Sequence, residues 1–172
     1  LLPETVARLS AATGRASPSR PRALALAAIR ETYEETGLMV GRAAGDAPSA
    51  PSDRLAPAWS AFLNREILPD LAPLQFVGRA ITPPGRPRRF DTRFFAVERS
   101  AVAMEEAGFV GPDKELVELA WMDLAAARAL DLPRVTLLMI AELESRLADG
   151  FRPGDPVPFF RQTGNRFERR LL

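Results

Sequence analysis

The chain has 172 residues, of which 47% are hydrophobic and 26% are charged; these proportions suit a globular domain and exclude a wholly disordered chain or a collagen-like fibre. The 23 basic and 22 acidic residues leave a net charge of +1, so no strong overall field draws the chain to nucleic acid or to an anionic membrane. Cysteine and histidine are absent, which excludes disulfides, zinc–thiolate sites and histidine bases. Carboxylates, hydroxyls, Lys114, the arginines or an oxygen-held metal are left for any chemistry.

The first half of the chain is predicted to be mostly helical. The predicted elements are a helix at residues 3–9, a helix at 22–36, a strand at 38–40, a loop at 41–57 and a helix at 58–68. The second helix contains no Gly or Pro and places Ala23, Leu26, Ile29 and Tyr33 three and four positions apart, which is the spacing of an amphipathic helix. Gly37 follows directly and is a predicted C-cap, because glycine readily adopts the left-handed conformation that ends many helices.

The second half is predicted to combine strands with helices. The predicted elements are a strand at 74–82, a Pro/Gly turn at 83–85, a strand at 89–98, a loop at 100–114, a strand at 115–122, a helix at 124–130, a helix at 133–147 and a tail at 151–172. The two strands that flank the turn are expected to pair antiparallel. Asp123 is a predicted N-cap, and Gly150 closes the last helix. This order of elements predicts a mixed α/β layered fold.

Three carboxylates crowd within one turn near the C-terminus of the predicted helix at 22–36. Glu31 lies three and four positions before Glu34 and Glu35, so the three share one helix face. Their mutual repulsion and the negative end of the helix dipole each cost about 0.3–1 kcal/mol at an exposed surface. A hard cation such as Mg²⁺ or Mn²⁺ would relieve both costs. For the glutamates alone, a solvated acidic face is the alternative interpretation.

The run Arg-Glu-Thr-Tyr-Glu-Glu-Thr-Gly-Leu at residues 30–38 resembles the second half of the Nudix box, the motif of the Nudix hydrolase superfamily. The matching residues are Arg30, Glu31, Glu34, Glu35, Gly37 and Leu38, whereas Thr32 stands where an aliphatic residue is usual. The resemblance implies a Nudix fold, an α/β/α sandwich around a mixed β-sheet, and divalent-metal-dependent hydrolysis of a diphosphate bond. It further implies that Glu34 and Glu35 are ligands of Mg²⁺ or Mn²⁺ and that Glu31 is a third ligand or helps to activate water, so that all three serve catalysis. Arg30 would brace the glutamates, and Gly37 would turn the chain into the next strand.

The front half of the box is absent at uninterrupted spacing, because Arg22 and Ala16 stand at its Glu and Gly positions. Some members of the coenzyme A diphosphatase-like branch interrupt the box in this way. Residues 1–22 are accordingly predicted to be an insertion within the box or an N-terminal extension, 23–150 the hydrolase domain, and 151–172 a tail packed on it. The first strands of the fold would then lie upstream of this chain. A truncated chain or a degenerate box would account for the same absence.

Residues 23–29 and 81–95 also resemble the coenzyme A-type branch, which makes coenzyme A or an acyl derivative the leading substrate. Residues 115–122 resemble the Nudix strand that follows the loop over the site. The candidate substrate-binding residues are Arg88, Arg89, Phe90 and Arg93. Guanidinium groups suit phosphate and a ring suits adenine stacking, although solvent-exposed arginines and core phenylalanines are the alternative. Glu115 and Glu118 are the leading candidates for the base that activates water, ahead of Glu105, Glu106 and Asp113.

Two other functions stay open on the sequence: a Nudix-like nucleotide-binding module without catalysis, and a pyrophosphatase for ADP-ribose or another nucleotide. No apolar run approaches the roughly 18–20 residues of a membrane-spanning helix, and the first residues lack a signal-peptide pattern. We therefore expect a cytoplasmic protein with a nucleotide-type small molecule as partner and without nucleic-acid or membrane partners. A homodimer is also open, with Phe159 and Phe160 as candidate interface residues.

Overall fold

The structure is a computed structural model that describes residues 1–11, 17–45, 56–85, 87–152, 154–163 and 166–172. These residues form helices and two β-sheets, so the predicted mixed α/β class is confirmed. Of the predicted loop at 41–57, residues 46–55 lie outside the described residues. None of the described helices combines the length and the apolar composition that crossing a bilayer requires.

The elements are numbered in chain order. The helices are α1 (Pro3–Ser10), α2 (Arg20–Thr36), α3 (Pro57–Asn64), α4 (Leu124–Arg128) and α5 (Arg134–Asp149), with a 3₁₀ helix at Arg99–Ala101. The strands are β1 (Leu38–Ala43), β2 (Ile67–Pro69), β3 (Gln75–Ile81), β4 (Asp91–Ala96), β5 (Val102–Glu105), β6 (Pro158–Thr163) and β7 (Arg166–Leu171). The predicted helices at 3–9, 22–36, 124–130 and 133–147 agree with these bounds to within two residues at each end.

The chain forms two compact units. The first contains Ser19–Pro73 and Val97–Ala120, and the second contains Leu2–Pro18, Leu74–Ala96 and Trp121–Leu172. The predicted insertion at 1–22 and the predicted domain limits stay predictions.

The first unit carries a three-stranded antiparallel sheet in the order β2-β1-β5. Helix α2 buries Ala25, Ile29 and Tyr33 at positions four apart, so it is amphipathic as predicted. Of the other two predicted apolar positions, Leu26 is half-buried and Ala23 is exposed. It starts two residues before the predicted position, since Pro21 is well suited to a first helical turn. Strand β1 is almost fully buried at its start, where Met39 is 0% exposed.

Two predictions for the first unit are wrong. Residues 115–122 form no strand. The edge of β1 opposite to β2 is instead occupied by β5, which lies in the segment predicted as a loop. Val117, one of the apolar residues that suggested the strand, is 68% exposed. The predicted helix at 58–68 ends at Asn64, because Glu66 adopts a left-handed conformation with φ of 55° and Ile67 then pairs with Ala43.

The second unit carries a four-stranded sheet in the order β4-β3-β6-β7. β3 and β4 pair antiparallel across the Pro/Gly turn, as predicted. β6 pairs parallel to β3 and antiparallel to β7, so the predicted tail supplies half of a mixed sheet. Phe159 and Phe160 are only 3% and 5% exposed within this sheet, which corrects their assignment to a dimer interface. A homodimer by another surface stays a prediction.

Helix α5 covers one face of this sheet. A Cβ atom at Gly78 would collide with the Met139 sulfur, so the glycine lets helix and strand approach closely. Met139 also belongs to a buried cluster with Val77, Ala80 and Phe160. The short α4 precedes α5, and its predicted N-cap Asp123 is confirmed, since its Oδ1 accepts a hydrogen bond of 2.7 Å from an amide of the first turn.

Arg79 follows Gly78 on β3, so its side chain lies on the face of the sheet opposite to α5, where it is 3% exposed. Its Nε and Nη2 donate to the two carboxylate oxygens of Asp91 at 2.7 and 2.8 Å, and its Nη1 donates to the carbonyl of Ala11 after α1 at 2.9 Å. Its guanidinium also lies 4.5 Å from the centre of the Phe159 ring. Arg93 adds a second ion pair to Asp91 at 2.9 Å. Burial would raise the pKa of Asp91, but the hydrogen bonds from Arg79 and the charge of Arg93 hold that pKa below its usual value.

We expect Asp91→Asn to destabilise the protein by about 1–3 kcal/mol at neutral pH, because a neutral amide then faces the buried Arg79 guanidinium. The folded-state pKa of Asp91 lies below the unfolded value of about 3.9. The stabilisation is therefore fully present above that pH and is lost as the pH falls through the folded-state pKa. Urea unfolding of both proteins from neutral to acid pH measures this, with the exposed Asp131→Asn as control. Equal free energies of unfolding at neutral pH would contradict the prediction.

Candidate active site

The C-terminal half of α2 presents the acidic residues of the predicted site. Arg30 lies among them: its Nη2 is 2.6 Å from Glu31 Oε1, and its Nε is 3.5 Å from Glu34 Oε2. The three side chains are 37%, 56% and 45% exposed, so water screens these pairs and they add little to stability. Arg30 thus orients two of the three glutamates, which is the contact that a bracing residue would make.

The third glutamate, Glu35, is half-buried and meets a different environment. Its pKa is raised, first by burial and then by the negative charges of Glu115 and Glu31. The structure therefore brings Glu115, the candidate base, into electrostatic range of Glu35, one of the candidate metal ligands. Glu115 reaches this position from an irregular segment after β5, not from the strand that the sequence predicted.

The predicted ligand set does not converge on a single point. Within the described ranges, no group of three or more acidic, histidine or cysteine side chains is arranged to hold a metal ion. Glu31 and Glu34 instead direct oxygens toward Arg30. The assignment of Glu31, Glu34 and Glu35 as ligands stays a prediction.

Gly37 ends α2 as predicted. It has φ of 75°, and its N–H donates to the carbonyl of Tyr33 at 2.8 Å. A Cβ atom here would collide with the backbone oxygen of Glu106 and lie 3.0 Å from Phe109. The Glu106 amide in turn donates to the Gly37 carbonyl at 3.0 Å. The glycine is therefore required both by its conformation and by the chain that follows β5.

The side chain of Glu106 links two helices of the first unit. It accepts a hydrogen bond of 3.0 Å from the Tyr33 hydroxyl on α2 and one of 2.8 Å from Arg65 Nη2 at the end of α3. The Tyr33 ring also contacts Phe109 and Phe62, with centroid distances of 4.9 and 5.5 Å. Sequence reasoning ranked Glu106 only as a secondary base candidate and did not select Arg65. No local signal indicated this link, since its partners lie 73 and 41 residues away along the chain.

The candidate substrate-binding residues belong to the second unit and differ in exposure. Arg88 and Arg89 are exposed before β4, and Arg89 Nε donates to the carbonyl of Thr82 at 3.1 Å. Phe90 is 60% exposed. Its backbone N–H donates a hydrogen bond to Thr82 Oγ1, and its carbonyl accepts one from the Thr82 N–H. The Arg93 side chain is only 5% exposed and forms the ion pair with Asp91. Arg88, Arg89 and Phe90 are therefore accessible, whereas Arg93 is part of the structural ion-pair network.

No protein-family model and no curated protein matches the chain. Among solved structures, the chain is similar to the crystal structure of a NUDIX hydrolase from Alicyclobacillus acidocaldarius. The two share 26% sequence identity over 83% of this chain and 72% of that chain, with a TM-score of 0.44. Assignment to the Nudix family accordingly stays a prediction from residues 30–38.

Gly37→Ala is expected to destabilise the protein by about 2–5 kcal/mol, because it adds both left-handed backbone strain and a collision with the Glu106 carbonyl. Gly108→Ala is the control, since Gly108 also has a positive φ, of 89°, and a Cβ atom there would meet none of the described residues within 4 Å. The control should lose only about 1 kcal/mol. Urea denaturation of both variants measures the difference, and equal losses would show that the approach of Glu106 is unimportant.

Tyr33 is the single tyrosine of the chain, so its ionisation can be followed by ultraviolet absorbance. Burial, together with the hydrogen bond to Glu106, raises its pKa, and we expect a midpoint above the usual value of about 10. Glu106→Gln should move the midpoint toward that value because the negative acceptor is removed. Glu105→Gln is the control, since the adjacent glutamate pairs with Arg99 instead. A midpoint unchanged by Glu106→Gln would contradict the contact.

Proposed function

We propose that this chain is a divalent-metal-dependent hydrolase that cleaves the diphosphate bond of a nucleoside-diphosphate-linked substrate. The observation that carries the proposal is the run at residues 30–38. It combines three glutamates on one helical turn, an arginine bound to two of them, and a glycine that ends the helix. The proximity of Glu115 to Glu35 adds a fourth carboxylate from another segment.

Mg²⁺ or Mn²⁺ fits this donor set in its chemistry. Carboxylate oxygens are the ligands that both ions prefer. The pKa of Glu35 is raised first by burial and then by repulsion from Glu115 and Glu31, and a cation would offset that repulsion. Arg30 is a competitor, because it holds the oxygens of Glu31 and Glu34. Binding of a cation would therefore require at least one of these carboxylates to leave Arg30. A bound cation would neutralise the diphosphate and make water a better nucleophile.

The residues divide the work by position. Glu34 and Glu35 would hold the cation, with Glu31 as a further ligand or as a base, and Arg30 would fix the orientation of Glu31. Glu115 would accept the proton of the attacking water. The water oxygen forms a bond to one phosphorus while the bridging P–O bond breaks, and the electron pair leaves with the second phosphate. Coenzyme A would thus yield phosphopantetheine and adenosine bisphosphate.

Coenzyme A or an acyl derivative is the leading substrate because residues 23–29 and 81–95 resemble the branch that acts on it. The exposure of Arg88, Arg89 and Phe90 supports a role in nucleotide recognition. Guanidinium groups bind phosphate through paired hydrogen bonds, and an exposed ring offers a stacking surface for adenine. ADP-ribose and other nucleotides share this chemistry.

A second candidate function is a nucleotide-binding module without catalysis. The missing front half of the box favours it. So does the lack, within the part of the chain that the structure describes, of a three-carboxylate group arranged around one point. This module would bind the nucleotide without metal-dependent turnover.

The test incubates the protein with coenzyme A and Mg²⁺ or Mn²⁺ and measures phosphopantetheine and adenosine bisphosphate. The double variant Glu34→Gln, Glu35→Gln should lose about a hundredfold or more of the turnover, the scale for losing one group that stabilises a transition state. The double variant Glu4→Gln, Glu98→Gln makes the same charge change at exposed positions outside α2 and should retain it.

Equal turnover by the first double variant and the wild-type protein would refute the mechanism. A panel with ADP-ribose, dinucleotides and oxidised nucleotides distinguishes the substrates. Calorimetric binding of a nucleotide without turnover of any panel member would favour the binding module.

A further inference from the structure

A cavity of about 400 Å³ opens in the second unit, between one face of its sheet and the first turn of α5. Its volume lies within the range of small-molecule pockets. The described residues that line it come from all four strands of the sheet, from the segment after β3 and from the start of α5. They are Ala80, Ile81, Thr82, Pro83, Thr92, Phe94, Pro133, Arg134, Val135, Phe160, Gln162 and Phe167.

The packing of α5 explains why space is left here. The helix approaches β3 closely at Gly78, where Met139 fills the room that a side chain would take. Two residues further along β3, the sheet presents the small Ala80, which faces Thr92 on β4 and Phe160 on β6. Because the side chain of Ala80 is small, a space remains between this part of the sheet and the first turn of α5.

The walls combine aromatic surface with one positive charge. Phe160 and Phe167 are stacked with ring centroids 5.8 Å apart and an interplanar angle of 20°. The guanidinium of Arg134 lies 4.9 Å from the centre of the Phe167 ring and is exposed at the rim. Among the described lining residues, Arg134 is the only charged one, so no carboxylate opposes an anion there.

We propose that this cavity binds a small carboxylate whose body is an aromatic ring or a branched aliphatic chain. The body would lie against Phe94, Phe160 and Phe167, and the carboxylate would pair with Arg134 at the rim. A single exposed guanidinium matches one negative charge, and its planar fork accommodates both carboxylate oxygens. The proposal concerns binding alone and does not depend on diphosphate hydrolysis.

Phenylacetate is the probe, and its uncharged isostere phenylacetamide is the matched ligand control. Calorimetry should detect phenylacetate binding to the wild-type protein, with affinity for phenylacetamide about tenfold or more weaker, because a charge-assisted hydrogen bond is then lost. Arg134→Gln should weaken phenylacetate binding by a similar factor while leaving phenylacetamide unchanged. Arg22→Gln removes an exposed arginine that does not line the cavity and should leave phenylacetate binding as in the wild type.

A second measurement locates the ligand. Amide resonances of Val135 and Thr92 should shift with phenylacetate, and Val135→Trp, which fills the cavity, should abolish both the shifts and the heat. Circular dichroism verifies that each variant is folded. If Val135→Trp does not fold, the test rests on the comparison of Arg134→Gln with Arg22→Gln. The proposal is overturned if the wild type does not bind phenylacetate, if Arg134→Gln and Arg22→Gln bind it equally, or if the shifts fall elsewhere.

Discussion

The backbone contact between Gly37 and Glu106 fixes the end of α2, and much of the first unit is arranged around it. Only a residue without a Cβ atom permits the carbonyl of Glu106 to lie against the helix end. The same contact sets the Glu106 side chain between Tyr33 and Arg65, which ties α2 to α3. The buried face of α2 is thereby held, and the opposite, acidic face has a defined position.

The three glutamates on that acidic face differ in how far a positive charge compensates their repulsion. Arg30 compensates Glu31 and Glu34, whereas Glu35 is exposed to the charge of Glu115 and is partly withdrawn from water. Glu35 thus carries the repulsion from Glu115, which belongs to the irregular segment after β5. A cation drawn to Glu35 would therefore meet the least competition from Arg30, and recruiting Glu34 would be the step that costs an existing ion pair.

The sequence predicted the features that depend on neighbouring residues. Gly37, Asp123 and the Pro-Pro-Gly turn each encode a local conformation, so the end of α2, the start of α4 and the β3–β4 hairpin could be located without knowledge of the fold. Features that depend on distant partners could not be located. The segment at 115–122 has strand-like apolar residues, yet β5 occupies the available edge, and β6 becomes a strand because β3, some eighty residues earlier, offers a parallel edge.

The candidate site divides along the same line. The cluster of Glu31, Glu34 and Glu35 follows from helical periodicity, and Arg30 is within reach by spacing alone. The Tyr33–Glu106–Arg65 link and the approach of Glu115 to Glu35 join segments far apart in the sequence. Contacts between residues so far apart along the chain cannot be predicted from a single sequence.

Two arginines of the second unit show how burial decides what a charge can do. Arg79 is buried, and burial of a cation is tolerable only because Asp91 neutralises it within the same sheet. Arg134 lies at the surface above Phe167, where water solvates it and no such internal carboxylate is needed. The charge of Arg79 is thus committed to holding β3, β4 and the end of α1 together. The exposed guanidinium of Arg134 can exchange its bound water for an anionic ligand at a small desolvation cost. The apolar cavity beneath it would add hydrophobic contact with the body of that ligand.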